Sequence, residues 1–189
     1  MTKGVPAPEQ QARELIDERL RAAGWHVCDR NQIDLVNHAG VAVREVPMAD
    51  GHGIVDYLLF VDRKPVGVLE AKKDGVGLAG VEWQSARYAT GLPDSFRDNA
   101  VTVDGRLPFV FEATGVQTRF TNGFDPNPRA RSLFSFPQPT TLARIVREGV
   151  DEAWRRRVRE MPPFDHYPMR PAQFDAVGGV ERALAEAQH

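Results

Sequence analysis

Lysine and cysteine are scarce in this chain. Among 189 residues there are 4 Lys against 20 Arg, and one cysteine, Cys28. A lone thiol excludes a disulfide framework and a cysteine-based zinc site. The five histidines are scattered, with no metal-ligand spacing. No apolar run approaches the ~20 residues needed to cross a bilayer. The opening Met-Thr-Lys-Gly-Val-Pro-Ala-Pro-Glu lacks the apolar core of a signal peptide, so the expected location is the cytoplasm, with no membrane partner. No G-x-x-x-x-G-K-[ST] stretch is present, and Gly75-Val-Gly77 lacks the rest of that pattern, so ATP phosphates have no evident cradle. An excess of positive charge is missing too: 24 Lys and Arg stand against 26 Asp and Glu, a formal net charge of −2. Global charge therefore does not advertise nucleic-acid binding, although meeting phosphates needs only local positive charge.

What is present suits one domain with an appendage, since 42% of the residues are apolar and 26% charged. Pro8 to Ala23 reads as an amphipathic helix with Ala12, Leu15, Ile16 and Leu20 on one stripe, ended by Gly24. Glu9 heads that stripe. Trp25 to Cys28 reads as a short strand, Asp29 to Asp34 as loop, and Val41 to Pro47 as the next strand. After Lys73 a helix is expected over about Leu78 to Thr90, with Gln84 and Tyr88 four apart on one face. Pro108 to Gly115 and Val116 to Phe120 read as a hairpin. Thr121 to Ser132 reads as a polar loop in which Arg129 and Arg131 are candidate phosphate contacts. Thr140 to Glu160 reads as helix, Pro162-Pro163 as part of a linker, and Pro171 as the start of a last helix. The main body is placed at 1–160, with 161–189 as linker and the beginning of a further domain.

Chemistry concentrates between Ile54 and Lys73. Val55 to Val61 and Val66 to Leu69 are apolar, rich in β-branched and aromatic residues, and joined by a polar turn over Asp62 to Pro65. That pattern predicts a β-hairpin. Alternation along a strand points Glu70 and Lys72 the same way and turns Ala71 towards the core. Asp56 opens the partner strand and should lie beside Glu70. Two carboxylates can hold a hard cation such as Mg²⁺. Such an ion polarises a phosphoryl oxygen and activates water, and a neighbouring lysine can orient that water or stabilise phosphate charge. The spacing alone is common: with 12 Glu and 4 Lys, one E-x-K arises by chance roughly a quarter of the time. Asp62-Arg63-Lys64 also reads D-x-K, but as a solvated hairpin tip. His52, near Asp56, reads as an ordinary loop residue. For Glu9 the bland role is favourable interaction with the helix N-terminus, and for Glu70 with Lys72 it is a surface ion pair at a strand end.

The residues around this hairpin carry a resemblance. The helix ending Ala-Gly24-Trp25, Val43-Arg44-Glu45, Asp56-Tyr-Leu-Leu, Val68-Leu-Glu70-Ala-Lys72, Gln84-x-x-x-Tyr88-Ala, Leu107-Pro-Phe-Val-Phe, Gly115-x-x-Thr-Arg-Phe120 and Phe134-Ser-Phe-x-x-Pro139-x-x-Leu142 follow in order. Together the series resembles the N-terminal portion of the restriction (R) subunit of type I restriction enzymes, over most of residues 8–184.

The resemblance implies an α/β fold with a restriction-endonuclease-like PD-(D/E)XK core, a central mixed sheet flanked by helices. It implies Mg²⁺-dependent hydrolysis of double-stranded DNA, with Mn²⁺ as a possible substitute. Asp56, Glu70 and Lys72 take the catalytic places; Asp56, Glu70, the Ala71 backbone carbonyl and Glu9 are the candidate metal ligands. Gln84 and Tyr88 handle DNA. Arg170-Pro-Ala-Gln173 resembles the opening of a superfamily 2 helicase motor, where Gln173 reads adenine, so ATP belongs only to the full-length protein. Methyltransferase and specificity subunits are the implied partners. One departure is that Pro137-Gln138 stand where the family tends to carry His-Arg. The rival expectation is a non-catalytic DNA clamp or docking module that keeps the nuclease fold.

Overall fold

A computed structural model describes residues 8–49, 51–73, 91–125, 127–161 and 170–186. Seven strands form one sheet whose order in space follows the chain: β1 (His26–Cys28), β2 (Gly40–Pro47), β3 (Ile54–Val61), β4 (Lys64–Ala71), β5 (Phe109–Ala113), β6 (Thr118–Asn122) and β7 (Arg131–Leu133). β1 and β2 run parallel, as do β4 and β5; the other neighbours are antiparallel. The helices are α1 (Pro8–Ala22), the short α2 (Asp94–Arg97), α3 (Pro139–Arg159) and α4 (Pro171–Glu186). This is the expected mixed α/β sheet with flanking helices.

The β3–β4 hairpin forms as its sequence predicts, with a tighter turn. Asp62 and Arg63 have φ of 48° and 67°, so two left-handed residues make the connection, the geometry whose twist matches antiparallel strands. Pro65 therefore belongs to β4 rather than to the turn. It pairs with Phe60, while Gly67 pairs with Leu59, so Val66 is one extra residue at a bulge. A bulge tolerates the amide that proline lacks.

Alternation sorts the strands onto two cores. On one face Ala42, Tyr57, Leu59, Leu69, Phe109, Phe111 and Phe120 pack with Ile16 and Leu20 of α1 and Leu142 and Ile145 of α3. On the other, Val41, Val43, Leu58, Phe60 and Val68 pack with Leu92 and Leu107, with Phe96 of α2 against them. Each fully buried aliphatic or aromatic side chain here contributes roughly 1.5–3 kcal/mol. Ile16 and Leu20, four apart and wholly buried, show why α1 forms where it does.

Several sequence expectations shift. Arg30–Gln32 is a 3-10 turn inside the expected loop. The polar stretch up to Ser132 contains part of β7, a strand without apolar alternation that, among the described residues, pairs only with β6. β6 extends to Asn122, two residues beyond the expected end. α3 is interrupted at Gly149, whose φ of 69° is non-helical. The expected helix over Leu78 to Thr90 lies outside the described residues.

Gly67 sits where β4 and β5 approach closely. A Cβ there would lie 2.4 Å from the Phe109 carbonyl oxygen and 2.7 Å from its Cβ. Gly67→Ala should therefore destabilise the chain by about 3 kcal/mol, because backbone cannot yield as a flexible side chain can. Urea unfolding measures this, and a loss under about 0.5 kcal/mol would show that the strand pair has slack.

Candidate active site

The hairpin brings the predicted trio together. Tyr57 pairs with Leu69, and one step further along the two strands stand Asp56 and Glu70. The Ala71 amide donates to Asp56 Oδ2 at 2.8 Å, and Lys72 Nζ donates to Glu70 Oε1 at 2.8 Å. A cleft of about 480 Å³ opens over them, lined by Arg13, Ile54, Asp56, Glu70, Ala71, Lys72 and Lys73. Both carboxylates are largely shielded: the Asp56 side chain is 12% exposed and that of Glu70 10%.

The second oxygen of Glu70 is buried and, among the described residues, has no hydrogen-bond partner. An orphaned carboxylate oxygen is costly. Burial raises the Glu70 carboxyl above its ordinary value, the Lys72 hydrogen bond opposes this, and Asp56 adds to the rise. Two carboxylates lining one cleft are the donor chemistry a hard cation takes, so the donor set fits the Mg²⁺ implied by the resemblance. Against this, among the described residues no group of three or more potential ligating side chains assembles.

The remaining candidates are placed as follows. Glu9 lies in the first turn of α1, but its side chain is outside the described residues. Gln84 and Tyr88 are outside them as well. Gln173 is exposed in the first turn of α4, where its Oε1 accepts the Arg170 amide at 3.0 Å, a local helix-start contact. His52 is a loop residue packed over Gly91 and does not line the cleft. Arg131 pairs with Asp125 at 3.5 Å and lies over the Phe120 ring. Arg129 lines a separate cleft with Arg106 and Glu112. Pro137, at the divergent position, accepts the Trp25 indole N–H at 2.9 Å. The Asp62-Arg63-Lys64 decoy is an exposed hairpin tip.

Sequence reasoning missed two groups on α1. Arg13 donates to Asp56 Oδ1 at 2.5 Å and to Glu45 Oε1 at 2.7 Å. One turn on, buried Asp17 accepts the Tyr57 hydroxyl at 2.8 Å and pairs with Arg44, which also reaches Asp29 at 2.8 Å. Burial, then the Asp17 charge, raises the Tyr57 hydroxyl, while hydrogen bonding to Asp17 holds Arg44 firmly charged. The available signal was the i,i+4 spacing of Arg13 and Asp17 beside the apolar stripe of an amphipathic helix.

Comparisons with known proteins converge. A family profile described as the second domain of the type I restriction enzyme EcoKI endonuclease subunit matches residues 36–121. The EcoKI endonuclease subunit of Escherichia coli strain K12 is 24% identical, over 95% of this chain and 19% of its own length. The chain thus spans about a fifth of that relative. A fragment structure described as a putative HsdR subunit of a type I restriction enzyme from Vibrio vulnificus YJ016 has a similar fold, with a TM-score of 0.52 at 17% identity, over 75% of this chain and 25% of that one. The profile and the sequence relative are both similarities to the endonuclease subunit of type I restriction enzymes, and the solved structure adds a similar fold.

The raised Glu70 carboxyl sets the sign of a pH effect. A group whose folded pKa exceeds its unfolded value contributes stability that is complete below the unfolded value, here 4.5, and is lost as pH rises through the folded one. Glu70→Gln, always neutral and still able to accept from Lys72, should melt at a higher temperature than the wild type at pH 7 without divalent cations. The gap should close by about pH 4. A wild type more stable than Glu70→Gln at pH 7 would mean that the Lys72 pair outweighs desolvation.

Proposed function

We propose, from its kinship with the R subunit of type I restriction enzymes, that this chain is that subunit's nuclease region, a PD-(D/E)XK endonuclease domain hydrolysing phosphodiester bonds of double-stranded DNA. The observation that carries the reading is that Asp56, Glu70 and Lys72 line one cleft. A binding surface for duplex alone has no need of two carboxylates facing a phosphate.

Asp56 and Glu70 would hold Mg²⁺, or Mn²⁺ in its place, with the Ala71 carbonyl and Glu9 as further donors. When bound, the ion supplies Lewis-acid polarisation of a phosphoryl oxygen and activation of water. Lys72, held by Glu70 at 2.8 Å, orients the attacking water and offsets charge on the scissile phosphate. Gln84 and Tyr88 would guide the strand past the cleft. Residues 161–189 would lead into an ATP-driven, helicase-like motor that uses Gln173 for adenine. The methyltransferase and specificity subunits would complete the assembly in the cytoplasm. Among the described residues no helix is long and apolar enough to cross a membrane.

A non-catalytic clamp is the second reading. It is favoured by the lack of a three-ligand cluster among the described residues and by the Arg13 charge already seated on Asp56.

Cleavage by the complete R subunit, assembled with its partners and supplied with ATP and Mg²⁺, separates the two. Asp56→Ala and Lys72→Ala should each lower DNA cutting by roughly 10²–10³-fold or more, with circular dichroism unchanged. Undiminished cutting by either would leave the clamp. Glu70→Ala should weaken Mn²⁺ uptake measured by isothermal titration.

A further inference from the structure

Asp56 is a shared carboxylate. Oδ2 accepts the Ala71 amide, while Oδ1 takes the Arg13 guanidinium. Arg13 uses its other terminal nitrogen on Glu45, so one cation spans two acids. It also stands where two openings meet: the cleft over Glu70 and Lys72, and a wider one of about 870 Å³ running past Glu45, Arg44 and Arg30.

Glu45 is held in an uncommon conformation. Its neighbours Arg44 and Val46 pair regularly with Tyr57 and Val55, yet Glu45 has a φ of 50°. Left-handed backbone carries a steric cost in a residue with a Cβ, and persists only where its surroundings over-determine it. Here the flanking ladder does so, and Arg13 engages the carboxylate of this strained residue, which is 64% exposed.

A guanidinium and a divalent cation on one carboxylate repel each other. We propose that Arg13 is a charge latch on this site. Without a cation it neutralises Asp56; when a divalent cation takes Asp56, Arg13 withdraws onto Glu45, its second anchor. The inference rests on the nuclease reading, because it needs Asp56 to be a metal ligand. Arg13 is accordingly a positioning residue: it sets how readily the site loads.

Titrating Mn²⁺ calorimetrically into the metal-free chain tests this. Arg13→Gln should bind Mn²⁺ about fivefold more tightly than the wild type, as expected on losing a part-exposed competing ion pair. Arg13→Lys should stay near the wild type. Glu45→Gln removes the withdrawal site and should bind about twofold more weakly. That effect should disappear in the Arg13→Gln background, because coupling through Arg13 makes the pair non-additive. A merely structural Arg13 would lower the melting temperature without tightening Mn²⁺ binding. Equal or weaker binding by Arg13→Gln, while the wild type binds, overturns the latch and leaves the nuclease site standing. No Mn²⁺ uptake by any of these proteins overturns the metal site, and the latch with it.

Discussion

The hydrogen bond from the Ala71 amide to the Asp56 carboxylate joins the ends of β3 and β4. It orients an acid at the rim of the hairpin, where Glu70 and Lys72 emerge on the neighbouring strand. The bulge at Val66 and the two-residue turn at Asp62-Arg63 set the register that makes this possible. A slip of one residue would turn Glu70 and Lys72 to the opposite face and bring Ala71 into their place. The position of the chemistry thus depends on the register of one antiparallel pair.

Around that pair, charge is balanced locally. Asp56 faces Arg13, Glu70 faces Lys72, and Asp17 faces Arg44. Each acid is mostly shielded and each base partly exposed, which lets the long cationic side chains keep contact with water while their partners sit at the edge of an apolar sheet. Glu70 is the incomplete member, with one oxygen on Lys72 and the other unsatisfied.

The hairpin was readable because both of its signals are local: short apolar runs and alternation. α1 and most of α3 were readable through helical spacing. β7 was not, because an exposed edge strand of Arg131, Ser132 and Leu133 carries no burial pattern. The interruption of α3 was signalled only by a glycine, Gly149, and many helices accept one. Arg13 escaped notice because its partners lie 32 and 43 residues away, and a helix by itself shows only which face is polar.

The sequence by itself determined the two faces of the sheet, the amphipathic first helix and the residue types at the end of β4, since each follows from interactions between near neighbours in the chain. It also carried the ordered motifs through which the chain resembles type I restriction subunits. The tertiary structure alone decided that Arg13 neutralises Asp56, that Glu45 takes a left-handed turn beside it, and that one Glu70 oxygen is left unsatisfied. Those outcomes depend on how a helix is set against the end of a sheet, and on which charges burial then forces together.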